Sequence, residues 1–170
     1  IDTDMEFQPI MIRDMIAFDK PLVGCYYAKR QYPLVAVGQS FKEDELSDVV
    51  NGHIKVKATG CGVMLIRRDM IETMLEKMPD IADTRERSIA SHLYGESIKE
   101  YGGTRIIRAF DRITDEEGFK ISEDMSFCKR WRDCGGDVWA NVEHRVGHIG
   151  RMNYECRYMD YMENKAREAA

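Results

Sequence analysis

Long apolar runs, a basic excess, paired cysteines and low-complexity tracts are all missing from this chain of 170 residues. No stretch approaches the ~20 consecutive apolar residues that span a bilayer, and no leader pattern opens the chain. Lys+Arg number 25 against 30 Asp+Glu, a net charge of -5. That sign argues against binding a nucleic-acid polymer through its phosphates. The cysteines (Cys25, Cys61, Cys128, Cys134 and Cys156) form no C-x-x-C pair, which argues against a structural zinc site. They read as small buried hydrophobes in a reducing compartment, so a cytoplasmic protein is expected. Gly60-Cys61-Gly62 is too short for a dinucleotide fingerprint, and no P-loop lysine follows it. What is present is 44% hydrophobic and 32% charged residues, an ordinary globular mixture. A chain of this length buries roughly 70% of its unfolded surface and makes one domain-sized unit.

Periodicity predicts alternating helices and strands. Pro9 suits the first turn of a helix whose apolar positions are Ile12, Met15, Ile16 and Phe18. Pro21 to Tyr27 reads as a strand, and residues 28 to 52 as a loop. Ile54 and Val56 alternate with lysines, the pattern of a strand with one solvated face. Gly60 to Ile66 reads as a glycine turn feeding a buried strand, and Asp69 to Met78 as an amphipathic helix. Ile89, Leu93 and Ile98 suggest a loosely packed helix between Asp80 and Gly103, and Arg105 to Phe110 a strand. Ser122 then caps a helix running to Cys134, which Gly135-Gly136 stops. Val138 to Ala140 and Val146 to Ile149 read as strands, and Tyr154 to Glu168 as a terminal helix. The class is α/β. Ile1 is not an initiator methionine, and strands and crossover helices normally precede an acidic loop like the one that opens the chain. Residues 1–170 are therefore expected to be the C-terminal portion of a larger domain.

Three places carry chemistry. Asp2 and Asp4, two apart on an extended segment, would share a side and could hold a hard divalent cation; the plain alternative is a solvated turn. Glu123 and Asp124 open a helix, where acids favour the positive end of the dipole whatever their function. Asp124 shares a face with Phe127, Cys128 and Trp131, which sets its carboxylate at the edge of the core. Glu123 points elsewhere and could hold a neighbouring backbone or basic group. His148, between Gly147 and Ile149-Gly150, could ligate manganese or serve as an ordinary polar residue. Gly60 and Gly62 allow close approach of a sugar or acceptor, or simply make a tight turn. His53 and His92 lack acidic companions and read as structural, as does Trp131 in the core.

Four segments, in order, resemble the GT-A-fold glycosyltransferases of the family 2 type. Ile1-Asp2-Thr3-Asp4-Met5-Glu6-Phe7 is similar to their D-x-D strand end, and Ala58 to Arg68 to their central glycine turn and strand. Ser122 to Arg130 resembles the E-D motif, with Gly135 to Trp139 following, and His148-Ile149-Gly150 the late H-x-G. The likeness spans about residues 1 to 155. It implies a Rossmann-like mixed sheet flanked by helices, and an N-terminal nucleotide-binding half preceding Asp2. It also implies an Mn2+ or Mg2+ ion held by Asp4 and His148, with Asp2 on the metal or the nucleotide. Asp124 becomes the base that deprotonates an acceptor hydroxyl, and Gly60, Gly62 and Glu123 line the donor side. The donor is a nucleotide-diphosphate sugar, the acceptor a glycan, lipid or other hydroxyl, and the anomeric centre inverts. There is no separate Q-x-x-R-W pattern, which argues against processive synthesis.

Two other classes compete. A non-catalytic or truncated relative would bind a nucleotide or a partner, including a second copy in a homo-oligomer. A metal-dependent hydrolase would need a second carboxylate-rich site, which the sequence does not show.

Overall fold

The computed structural model describes residues 1–41, 48–83 and 106–168. Its centre is a five-stranded mixed sheet of strands β2 (Leu22–Cys25), β5 (Gln39–Ser40), β6 (His53–Ala58), β7 (Met64–Ile66) and β10 (Val138–Asn141), ordered β5-β6-β10-β2-β7. Only β10 and β2 run parallel; the other pairs are antiparallel. A second, antiparallel sheet joins β1 (Met5–Phe7), β11 (Val146–Ile149) and β12 (Asn153–Cys156). Among the described residues two short pairs complete the strands: β3 (Tyr27–Ala28) with β4 (Ala36–Val37), and β8 (Ala82–Asp83) with β9 (Ile106–Ile107). Among the described residues the helices are α1 (Pro9–Ala17), α2 (Arg68–Lys77), α3 (Glu123–Asp133) and α4 (Tyr158–Glu168). None is long and apolar enough to cross a membrane.

The period of two along each strand divides the core between the two faces of the large sheet. Leu22, Ile54, Val56, Val138 and Ala140 point to one face and pack with Met70 and Met74 of α2, Phe127, Cys128 and Trp131 of α3, and Tyr158 of α4. Val23 and Cys25 point to the other and meet Met11 and Met15 of α1 and Val146 of β11. Helices thus cover both faces, the α/β layering that the alternating pattern predicts.

Several boundaries differ from the sequence expectation. In α1 the buried side chains are Met11 and Met15, while Ile16 is 59% exposed. Within residues 28–52 lie two short strands, because pairing with β3 and β6 gives β4 and β5 their hydrogen bonds. The stretch from Gly60 yields only the three-residue edge strand β7, half-buried because a single neighbour covers it. Tyr154 to Cys156 belong to β12, drawn into a hairpin with β11, so the terminal helix starts at Tyr158. Asp2 to Asp4 form a turn, with the Met5 N–H donating to the Asp2 carbonyl at 3.4 Å. The side-sharing argument for an extended pair therefore does not apply. His92 and the helix expected around Ile89, Leu93 and Ile98 lie outside the described residues.

Candidate functional site

Strand β11 positions His148. It pairs with Met5 in register, and the Ile149 N–H donates to the Asp4 carbonyl at 2.8 Å, which locks the aspartate turn to the histidine strand. His148 Nδ1 lies 2.9 Å from the Ala28 carbonyl oxygen. A carbonyl can only accept, so Nδ1 carries the proton. Nε2 then faces Asp4 Oδ2 at 3.4 Å. That leaves the Nε2 lone pair and the Asp4 carboxylate side by side, two donor atoms that a metal ion could share. Neighbouring ligand atoms on an ion with bonds of about 2.1 Å stand roughly 3 Å apart, so this spacing suits one ion. A backbone carbonyl that fixes the tautomer is the usual outer partner of a ligating imidazole.

The same Asp4 oxygen also meets Arg30 Nη1 at 3.1 Å. Asp2 is anchored through its main chain, its N–H donating to the Gly62 carbonyl at 2.9 Å. Among the described residues no three His, Cys, Asp or Glu side chains stand together as a complete metal shell.

The loop Gly60–Gly62 ties this corner to the start of α3. The Cys61 N–H donates to Asp124 Oδ2 at 3.3 Å, and the Gly62 N–H to the Tyr27 hydroxyl at 3.2 Å. Tyr27 lies under the loop and meets the His148 ring edge-on at 5.5 Å. A Cβ at Gly60 would overlap the Tyr27 hydroxyl and come within 2.6 Å of Val37 Cγ1; at Gly62 it would lie 2.8 Å from Tyr27 Cζ. Both glycines are therefore required by the phenol beneath them. That contact is with the protein itself, and it accounts for the G-x-G without any ligand.

Asp124 stands at the rim that its helical spacing predicts, with Phe127, Cys128 and Trp131 buried behind it. Ser122 caps the helix, its Oγ accepting from the Met125 N–H at 3.4 Å. Glu123 turns away from the corner and accepts from Arg112 Nη2 at 3.0 Å. Its own main-chain N–H and Arg112 hold its carboxyl below the usual range. Burial, followed by the hydrogen bond to Asp124 and its charge, pushes the Cys61 thiol far up, and the Asp2 charge adds to this. Burial likewise raises the Tyr27 phenol, with the Asp124 charge contributing.

The structure thus brings Asp4 to His148, while the Asp2 main chain and the Asp124 carboxylate each bond to the Gly60–Gly62 loop that lies over Tyr27. Glu123 is apart. Tyr27 and Arg30 stand outside the expected site: in the sequence one ends a strand and the other falls in a loop, and neither position carries a signal of its own. Trp131 donates its ring N–H to the Asp137 carbonyl at 2.9 Å and serves the core. His53 stacks on Phe18 at 4.0 Å, on the α1 side of the sheet. A concavity of about 640 Å³ lies between Tyr32–Val35 and α4, and its lining includes none of Asp2, Asp4, Asp124 and His148. No family model, no curated protein and no solved structure matches the chain.

Proposed function

We propose that this chain is a GT-A-type, inverting, metal-dependent glycosyltransferase that transfers a sugar from a nucleotide-diphosphate sugar to an acceptor hydroxyl. The observation that carries the reading is the His148–Asp4 pair, whose Nε2 and Oδ2 face each other at 3.4 Å with Nδ1 already committed to Ala28. Asp4 and His148 would hold a manganese or magnesium ion, with Asp2 beside them. Such an ion supplies positive charge to the diphosphate as it leaves.

The rest of the chemistry belongs to the protein. Asp124 has one oxygen oriented by the Cys61 N–H, which leaves the other to accept the proton of an acceptor hydroxyl. The acceptor's hydroxyl oxygen, losing that proton to Asp124, attacks the anomeric carbon as the bond from that carbon to the diphosphate breaks. One displacement from the face opposite the leaving group inverts the centre. Tyr27 keeps the loop that orients Asp124 and the ring of His148 in one frame through its hydroxyl and its ring. The test is transfer or hydrolysis of a nucleotide-diphosphate sugar with manganese. Asp124→Asn is expected to lower the rate about 10²–10⁴-fold, the range of a general base. Equal rates would reject the base.

A second reading has its own observation. The Arg30 guanidinium already neutralises Asp4, and among the described residues no third ligand completes a shell. A non-catalytic nucleotide- or partner-binding relative would keep that ion pair permanently. Calorimetry with manganese and nucleoside diphosphates separates the two, since no binding at all leaves only a structural role.

A further inference from the structure

The guanidinium of Arg30 covers the one Asp4 oxygen that also faces His148 Nε2, at 3.1 Å and 3.4 Å respectively. A divalent ion between Oδ2 and Nε2 would lie against that guanidinium, and two like charges so close repel. One must yield. We propose that Arg30 is a positioning residue that holds Asp4 until a divalent ion arrives, and then turns its guanidinium onto the diphosphate oxygens of the donor. The inference rests on the glycosyltransferase reading above and deepens it.

Three features suit Arg30 to this exchange. Its side chain is 51% exposed and its Nη1 meets Asp4 at 3.1 Å, an ion pair of the weak, solvent-screened kind that is easily broken. Its stem is nevertheless steered. A Cβ at Gly150 would lie 2.9 Å from Arg30 Cδ and 3.6 Å from Cγ, so the bare glycine leaves the trough along which the stem runs. The loop that carries it is closed at the base by the Lys29 N–H, which donates to the Val35 carbonyl at 2.8 Å. The head can pivot while the stem stays beside the site. Once an ion satisfies Asp4, the guanidinium needs another anion. A diphosphate offers paired oxygens that its planar fork can bind with two hydrogen bonds.

The exchange predicts effects of opposite sign from one substitution. Binding is measured by calorimetry, first with manganese alone and then with manganese pyrophosphate, which needs no nucleobase pocket. Removing the competing cation in Arg30→Ala is expected to tighten manganese about 2–5-fold, the scale of an exposed ion pair. The same variant is expected to bind manganese pyrophosphate about tenfold more weakly, the scale of a lost charge-assisted contact. Arg30→Lys restores part of the pyrophosphate affinity, and Asp4→Asn abolishes manganese binding in every background. Circular dichroism confirms that each variant is folded. Manganese affinity unchanged or weakened in Arg30→Ala overturns the exchange while leaving the metal site standing. Tighter manganese with undiminished pyrophosphate binding overturns the second half of the proposal. Absence of manganese binding in both wild type and Arg30→Ala removes the metal reading itself, and the exchange with it.

Discussion

Cys61 and His53 show how single groups report on their surroundings. Cys61 is only half-buried, so access alone would let an alkylating reagent reach it. Its thiol is nonetheless held far above its ordinary pKa by burial and by Asp124, and the thiolate is the reactive form. Slow modification by iodoacetamide at mildly alkaline pH is therefore expected. Asp124→Asn should accelerate it several-fold, which peptide mass spectrometry of the labelled chain measures. His53 is a neutral imidazole with both nitrogens engaged: Nδ1 donates to the Asn51 carbonyl at 2.7 Å, and Nε2 accepts from Asn141 Nδ2 at 3.2 Å. Burial lowers its pKa below the ordinary 6.5. The unfolded chain therefore takes up a proton first as pH falls through about 6.5, and the folded state loses stability below that point. Calorimetric melting between pH 7 and pH 5 should show a drop that is smaller in His53→Gln. Reading these residues from the sequence was possible only in part. His53 has no acidic neighbour in the chain, and its structural role follows from that, but its stacking on Phe18 joins residues 35 positions apart.

The loop between β6 and β7 is the element on which the site depends. Its glycines are shaped by Tyr27, so the expected cost of adding a methyl group is specific. Gly60→Ala should destabilise by about 1–3 kcal/mol, the range of an overpacked core position. In a Tyr27→Phe background, where the overlapping hydroxyl is gone, the cost should shrink, because the two changes are coupled. Urea denaturation of the four variants measures this. Helices were legible at this scale wherever capping and spacing agreed. Ser122, Asp124, Phe127, Cys128 and Trp131 placed α3 and its buried face correctly. Short strands were not, because β4, β5 and β12 exist by virtue of the strands they pair with and not of a pattern of their own. Two or three residues carry no period of their own.

Across the whole molecule, one sheet separates two cores. Phe127 belongs to the core under α2 and α3, Met11 to the one under α1. Removing either side chain should be costly, about 3–5 kcal/mol for Phe127→Ala and about 2–5 kcal/mol for Met11→Ala. Because the sheet stands between them, the double variant should lose the sum to within about 0.5 kcal/mol, with a single cooperative urea transition. A double loss far from the sum would mean that the cores communicate through the sheet. The α/β class, the amphipathic helices and the acidic and imidazole candidates were all determined by the sequence, since they rest on local spacing and residue chemistry. Which candidates meet was decided by tertiary structure alone. The turn at Asp2–Asp4, the tautomer set by Ala28, the guanidinium of Arg30 over Asp4 and the phenol of Tyr27 beneath the glycines all depend on contacts between distant segments. Local patterns in a chain do not encode such pairings, because long-range packing brings those segments to one place.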